Sequence, residues 1–184
     1  MQSIIFIGYR GTGKTTVAST LAKRLGVPVF DSDIEIEHSA GKSIAEIFAQ
    51  DGEPAFRDRE ESVIAEILAR PNISVLATGG GAILRTDTRK RLRQAGQVIW
   101  LTATPETILR RISSDAATET MRPNLTSLPM YEEIVTVFNQ RKPLYAETAH
   151  ETIETDFQTI EEIVVKIENR QSCYRTEEYH AIPH

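Results

Sequence analysis

Residues 8–15, GYRGTGKT, have glycines, a lysine and a threonine at the spacing of a loop that holds phosphate groups. The loop follows the apolar run SIIFI and leads into a helical pattern. Glycines allow backbone N–H groups to turn inward around an anion, and the N-terminus of the following helix adds positive charge. Lys14 can then reach the β- and γ-phosphates of a nucleotide, and the Thr15 hydroxyl can ligate Mg²⁺. The spacing therefore predicts a site for a nucleoside triphosphate with its metal ion.

The loop contributes several expected nucleotide contacts. These are Gly11, Thr12, Gly13, Lys14, Thr15 and Thr16. Tyr9 and Arg10 fill variable positions of the motif, so we expect their side chains to be solvated.

A phosphate loop is compatible with a small-molecule kinase, a GTPase switch, or an ATP-dependent motor or regulator. A GTPase would carry the patterns D-x-x-G and N-K-x-D further along the chain, and the sequence contains neither. A motor or regulator usually has an apolar strand that ends in Asp, whereas the strand candidate SVLAT runs into GGG. These differences favour a short kinase whose acceptor site lies in the same domain.

The segment DSD follows the strand candidate VPVF and supplies two carboxylates, Asp31 and Asp33. In an extended chain, residues two apart point to the same side, and ligands bind at the carboxyl edge of parallel sheets. One carboxylate can help to hold Mg²⁺ through water, and the other can accept a proton from an acceptor hydroxyl. The alternative is a helix N-cap formed by Ser32 or Asp33.

Arg57 lies on the same helical face as the apolar residues Ile64 and Leu68. Glu60 and Glu61 follow it by three and four residues, so either could orient the guanidinium. A partly buried structural ion pair is the alternative. A guanidinium on an inward face could instead bind a carboxylate in bidentate fashion.

Arg141 has a similar setting, because Ile134, Phe138 and Tyr145 share its helical face. Two such arginines could converge on an anionic acceptor, although a structural ion pair is again the alternative.

The glycines Gly79, Gly80 and Gly81 end the third strand candidate. They imply either positive φ angles or a close approach of the backbone to a ligand, and a plain tight turn is the alternative. Residues 113–127 are polar and carry no apolar periodicity, which predicts a mobile lid. Arg122 in this lid could reach the transferring phosphoryl group on closure.

Five short apolar runs alternate with helical patterns, which is typical of an α/β fold with a parallel sheet. The runs are SIIFIG, VPVF, SVLAT, QVIWLT and ETIET. One domain over residues 1–170 is expected, followed by a loose tail at 171–184.

The chain has 184 residues, a net charge of −5 and one cysteine. The acidic balance argues against a nucleic-acid partner, and no apolar run is long enough to span a bilayer. A lone cysteine fits a reducing compartment. We expect a soluble, cytoplasmic, monomeric protein with small-molecule partners.

Taken in order, the segments GYRGTGKT, DSD, FRDRE, GGG, RP and RKPLYAETA resemble those of the shikimate kinases. The resemblance runs from about residue 4 to residue 168, and adenylate and gluconate kinases share the loop but not the series. It implies a three-layer α-β-α P-loop fold like that of the nucleoside monophosphate kinases, with a five-stranded parallel sheet and an acceptor-binding region at about 33–60. The implied reaction transfers the γ-phosphate of ATP to the 3-hydroxyl of shikimate, in aromatic amino acid biosynthesis.

The resemblance also implies roles on the nucleotide side. Lys14 would hold the phosphates and Thr15 would ligate Mg²⁺ with Asp31 close to the metal. Arg111 would pack on the nucleotide, and Arg122 would act from the lid.

On the acceptor side, the resemblance assigns Asp33 to the ring hydroxyls, and we expect this carboxylate to accept the hydroxyl proton. Arg57 and Arg141 would bind the carboxylate. The glycine segment 79–81 would contact the acceptor, chiefly through Gly80.

Overall fold

A computed structural model describes residues 2–72, 74–114 and 128–180, and it describes side chains as far as residue 170. Its five strands form one sheet in the order β2-β3-β1-β4-β5, and every pair of neighbours is parallel. The strands are β1 Ser3–Ile7, β2 Val29–Asp31, β3 Val75–Ala77, β4 Gly96–Thr102 and β5 Glu151–Glu154. Each lies within or overlaps one of the five apolar runs, so the predicted α/β sheet is confirmed.

Seven helices belong to the described part of the chain. They are α1 Lys14–Leu25, α2 Ser32–Ala40, α3 Ile44–Leu68, α4 Thr86–Ala95, α5 Pro105–Ser114, α6 Met130–Thr148 and α7 Ile160–His180. A short 3-10 helix, Ala82–Leu84, follows β3. None of the helices in the described ranges is long and apolar enough to cross a membrane.

The sheet is covered on both faces, which explains why its strands read as almost continuous apolar runs. Alternate residues of β1 serve the two faces: Ile4 and Phe6 join the core formed with α1 and α7. Ile5 and Ile7 join the larger core on the opposite face, formed with α3, α4, α5 and α6. The result is the expected three-layer α-β-α arrangement.

Helix α3 contains a break at Gly52, whose φ of 80° and ψ of 170° are not helical. A positive φ favours glycine at this position. The break separates the first two turns of α3 from the part that carries Arg57. The expected acceptor region, residues 33–60, therefore comprises α2 and a two-part α3.

Two expectations concern segments near the limits of the described residues. The predicted lid, 113–127, begins inside α5, and its remaining part, 115–127, lies outside the described residues. A loose tail is predicted from residue 171, whereas α7 continues to His180 in the structure.

Candidate active site

The phosphate loop connects β1 to α1 at the carboxyl edge of the sheet. Gly8, Gly11 and Gly13 all have positive φ angles, of 142°, 79° and 88°. A Cβ on Gly8 would lie 2.2 Å from the carbonyl oxygen of Leu101, so β4 leaves no space for a side chain there. The first N–H groups of α1 have no partners within the helix, and they can bind an anion.

Lys14 is largely buried, with 8% of its surface exposed. Its Nζ donates a hydrogen bond of 2.9 Å to the carbonyl oxygen of Tyr9, and the hydroxyl of Thr12 donates to the same oxygen at 2.8 Å. The lysine therefore folds back over its own loop, with its charge beside the N-terminus of α1.

Thr15 and Asp31 connect the loop, which follows β1, to the end of β2 on the far side of β3. The Thr15 hydroxyl donates to Oδ2 of Asp31 at 2.6 Å, and Oδ1 accepts from the backbone N–H of Asp33 at 2.9 Å. Burial raises the pKa of Asp31, and the negative charge of Asp33 raises it further. A hydroxyl and a carboxylate thus lie together at the position predicted for the metal.

The expectation that Asp31 and Asp33 lie along an extended chain is wrong. Asp31 ends β2 and is the N-cap of α2, and Asp33 already belongs to the first turn of that helix. Neither Ser32 nor Asp33 is the cap: Ser32 is buried, and its hydroxyl accepts from the N–H of Gly79 at 2.8 Å. The chain turns into a helix here because Asp31 caps it.

The guanidinium of Arg57 is held between two carboxylates. Nη1 contacts Oε2 of Glu60 at 2.5 Å, and Nη2 contacts Oε1 of Glu53 at 3.1 Å. Glu60 pairs with Arg57 as the sequence spacing predicts, whereas Glu61 points away and pairs with Arg85 at 2.7 Å. Arg57 has 8% of its surface exposed, so its position is firmly defined.

The glycine segment 79–81 contacts both Arg57 and Arg141. None of these three glycines has a positive φ angle, so that alternative of the prediction is wrong, and the close neighbours of their backbone are protein groups. A Cβ on Gly81 would lie 2.3 Å from Nη1 of Arg57. On the other side, the carbonyl oxygen of Gly80 accepts from Nη1 of Arg141 at 3.2 Å.

Tyr145 lies beside the candidate site residue Arg141, and the sequence pattern gave it no role there. Its buried hydroxyl donates to the carbonyl oxygen of Gly80 at 2.6 Å, next to Arg141. Its ring stacks on Trp100 of β4, with 5.6 Å between ring centroids and 20° between planes. Its spacing of four residues from Arg141, one turn of α6, was the available signal.

Tyr9 and Arg10 are not solvated, contrary to the prediction. Tyr9 is 1% exposed and packs edge-on against Phe138 of α6, with ring centroids 6.5 Å apart. Nη2 of Arg10 pairs with Oε1 of Glu133, also on α6, at 2.8 Å. The variable positions of the loop therefore contact the helix that carries Arg141.

Arg111, in the last turn of α5, lies beside the phosphate loop. It donates to the hydroxyl and the carbonyl oxygen of Thr155 at 2.8 Å and 2.7 Å, and to the carbonyl oxygen of Gly11 at 3.4 Å. It thus joins the end of β5 to the loop. Arg122 lies outside the described residues.

A loop of this form after β1, with a carboxylate at the end of β2 beside the loop threonine, defines a P-loop phosphotransferase fold. A family model described as shikimate kinase matches residues 10–171. The chain therefore belongs to the shikimate kinase family. The resemblance inferred from the sequence motifs is confirmed.

Relatives agree with this assignment. The shikimate kinase of Rhodopirellula baltica is 42% identical over 166 residues, which cover 90% of this chain and 88% of the relative. That of Burkholderia thailandensis is 46% identical over 153 residues, covering 83% and 80%.

Solved structures have the same architecture. A shikimate kinase from Acinetobacter baumannii in complex with shikimate has a TM-score of 0.87 and 37% identity, covering 95% of this chain and 94% of the other. A gluconokinase from Sinorhizobium meliloti has a TM-score of 0.58 at 17% identity, with 98% of each chain covered, and shares the fold alone.

Proposed function

We propose that this chain transfers the γ-phosphate of ATP to the 3-hydroxyl of shikimate, giving 3-phosphoshikimate and ADP for chorismate and aromatic amino acid synthesis. One observation carries the proposal. The hydrogen bond between Thr15 and Asp31 joins the phosphate loop to the DSD segment, so donor and acceptor residues meet at one sheet edge.

The residues at the loop fit a magnesium nucleotide. Mg²⁺ prefers oxygen ligands and usually takes only one or two from the protein, the rest being water and phosphate. The Thr15 hydroxyl and the Asp31 carboxylate supply that donor set, with Asp31 acting through water. When bound, the ion neutralises charge on the phosphoryl oxygens. Lys14 would leave the carbonyl oxygen of Tyr9 for the β- and γ-phosphates.

Asp33 is proposed to accept the proton of the attacking hydroxyl and to bind the ring hydroxyls. It lies in the first turn of α2, one residue beyond Ser32, which holds the glycine segment 79–81. The charge of Asp33 acts on Asp31, which contacts the loop threonine, so a general base at Asp33 would lie close to the phosphate loop.

Arg57 and Arg141 are proposed to bind the acceptor carboxylate from two sides of Gly80 and Gly81. Arg57 is already oriented by Glu53 and Glu60, so little side-chain entropy remains to be lost on binding. Arg141 is a half-buried cation that contacts a neutral carbonyl oxygen, and an anion would be the stronger partner.

Two further arginines complete the proposed nucleotide site. Arg111 is proposed to pack on the nucleotide, which is supported by its contact with Gly11 of the loop. Arg122 is proposed to reach the transferring phosphoryl group when the lid, 113–127, closes. We also propose a cytoplasmic monomer, since one chain supplies the residues of both halves of the site.

The direct test is a coupled ADP-release assay with shikimate, D-gluconate and other hydroxy acids as acceptors, with and without Mg²⁺. Among these acceptors, we expect only shikimate to cause ADP release, and this release should require Mg²⁺. ³¹P NMR should identify the product as the 3-phosphate. The control is Lys14→Ala, which should be inactive although circular dichroism should show that it is folded. Binding of ATP and shikimate without transfer would instead indicate a binding module that has lost catalysis.

A further inference from the structure

Arg10 and Glu133 connect the phosphate loop to α6 across 123 positions of sequence. Their side chains are 11% and 1% exposed, so the pair is almost fully desolvated. Removal of one partner from a buried ion pair leaves an uncompensated buried charge, which is strongly destabilising. The pair therefore holds this part of the loop against the first turn of α6.

Tyr9 makes a second connection, one residue earlier in the loop. Its ring packs on Phe138, and its hydroxyl lies near Arg10, Glu133 and Arg141. Burial raises the pKa of this phenol, while the charge of Arg10 lowers it and that of Glu133 raises it. Loop and helix therefore meet over two turns of α6.

The glycine turn is packed into the same junction. A Cβ on Gly80 would lie 3.4 Å from the backbone nitrogen of Arg10 and 3.4 Å from the carbonyl oxygen of Gly8. The carbonyl oxygen of Gly80 in turn accepts from Arg141 and Tyr145. A displacement of the loop at Arg10 would thus be transmitted to the groups that surround the acceptor carboxylate.

We propose that Glu133, through Arg10, is a positioning residue. It makes the affinity with which Arg141 binds the acceptor depend on bound nucleotide. A nucleotide that orders the loop fixes Arg10, and the ion pair then fixes α6 with Arg141 at the distance that the acceptor needs. Nucleotide and acceptor must strengthen each other's binding by the same factor, because such coupling is reciprocal. This inference rests on the proposed function, since it assumes that shikimate and a nucleotide bind here.

The test is calorimetric titration of shikimate into the protein with and without Mg²⁺ and ADP, which does not require phosphoryl transfer. The ratio of the two dissociation constants is the coupling factor. We expect a factor of at least about fivefold in the unmodified protein. Glu133→Gln and Arg10→Gln should both bring it to about one, while the dissociation constant without nucleotide stays within about twofold.

Glu132→Gln is the matched control, because Glu132 is the exposed neighbour of Glu133 in the same turn. It should keep the full coupling factor. If Glu133→Gln does not fold, the exchanged pair Arg10→Glu with Glu133→Arg is the second variant, and it should restore coupling. A folded Glu133→Gln protein with the full factor would overturn the proposal, as would a factor of one in the unmodified protein. Failure of the unmodified protein to bind shikimate would refute the proposed function and this inference with it.

Discussion

The guanidinium of Arg57 occupies the space where residue 81 would carry a side chain. A Cβ on Gly81 would lie 2.3 Å from Nη1 and 2.6 Å from Cζ of that arginine. Arg57 is buried and held by Glu53 and Glu60, so it cannot swing aside without breaking these ion pairs. The absence of a side chain at position 81 therefore sets where this arginine lies.

Gly81→Ala should weaken shikimate binding by about tenfold or more, or roughly 1.4 kcal/mol. Backbone strain is not the cause, because Gly81 has a φ of −101° that alanine adopts readily. Calorimetric titration should find the affinity for Mg²⁺ and ADP nearly unchanged. In an Arg57→Ala background, Gly81→Ala should cause little further loss of shikimate affinity, since the two changes act on one contact. Independent effects in that background would contradict the steric explanation.

Replacement of the acceptor carboxylate by an uncharged amide should weaken binding strongly, because Arg57 and Arg141 are proposed to hold that group. A charge-assisted hydrogen bond is worth roughly 1.5 to 3 kcal/mol, or about tenfold to over a hundredfold in affinity. Competition of shikimate amide against shikimate would measure the difference. Equal affinities would remove the carboxylate role from both arginines.

Asp33→Asn should lower kcat by at least about a hundredfold, which is the lower end of the usual contribution of a general base. The amide cannot accept a proton at neutral pH, but it has the size of the carboxylate and keeps the first turn of α2. Nucleotide affinity should change by less than about threefold. Loss of nucleotide binding with normal turnover of bound substrate would instead make Asp33 a metal-site residue.

Asp31→Asn should stabilise the ligand-free protein at pH 7. Burial and the charge of Asp33 raise the pKa of Asp31 above its usual 3.8, so the folded state binds its proton more tightly than the unfolded state does. Stability therefore falls as the pH rises through the interval between these two pKa values, and above it the full penalty applies. Asparagine removes the charge and still caps α2.

The predicted stabilisation by Asp31→Asn can be measured by thermal unfolding between pH 4 and pH 7. The gain in Tm should shrink toward pH 4, and Mg²⁺-dependent nucleotide binding should weaken at pH 7. Asp87→Asn, at a largely exposed carboxylate, removes the same charge and should leave Tm nearly unchanged. A lower Tm for Asp31→Asn at pH 7 would show that the contact with Thr15 outweighs the charge penalty.

Arg122→Ala should reduce kcat by at least about tenfold, or roughly 1.4 kcal/mol of barrier. A group that reaches the phosphoryl oxygens only after closure stabilises the transition state more than the bound substrates. Shikimate affinity measured without nucleotide should barely change. An unchanged kcat, or equal hydrogen exchange of residues 113–127 with and without both substrates, would contradict the lid role.

Much of the fold follows from local sequence pattern. The strands were predictable because each is a short apolar run next to a helical period, and even ETIET at the edge of the sheet is β5. The break at Gly52 was not predicted, since the helical pattern continues on both sides of it. The N-cap at Asp31 was also missed, because three neighbouring residues could each have served as the cap.

Some contacts of the candidate site could likewise be predicted from the sequence, and others could not. The contact between Thr15 and Asp31 follows from two motifs that end strands β1 and β2 at the same edge of the parallel sheet, with β3 between them. The burial of Tyr9 and Arg10 could not be predicted from the loop, because their partners lie on α6, more than 120 positions later. Residue type predicts a role best where the partners of that residue belong to the recognised motifs.

The stack of Trp100 on Tyr145 has a practical consequence. Trp100 is the only tryptophan of the chain, and Tyr145 donates its hydroxyl hydrogen bond to Gly80 beside the proposed carboxylate site. Excitation beyond the tyrosine absorption band would therefore select one indole, which stacks on a tyrosine beside the proposed acceptor site. The protein carries its own optical probe, and its emission should follow acceptor binding in real time without a label.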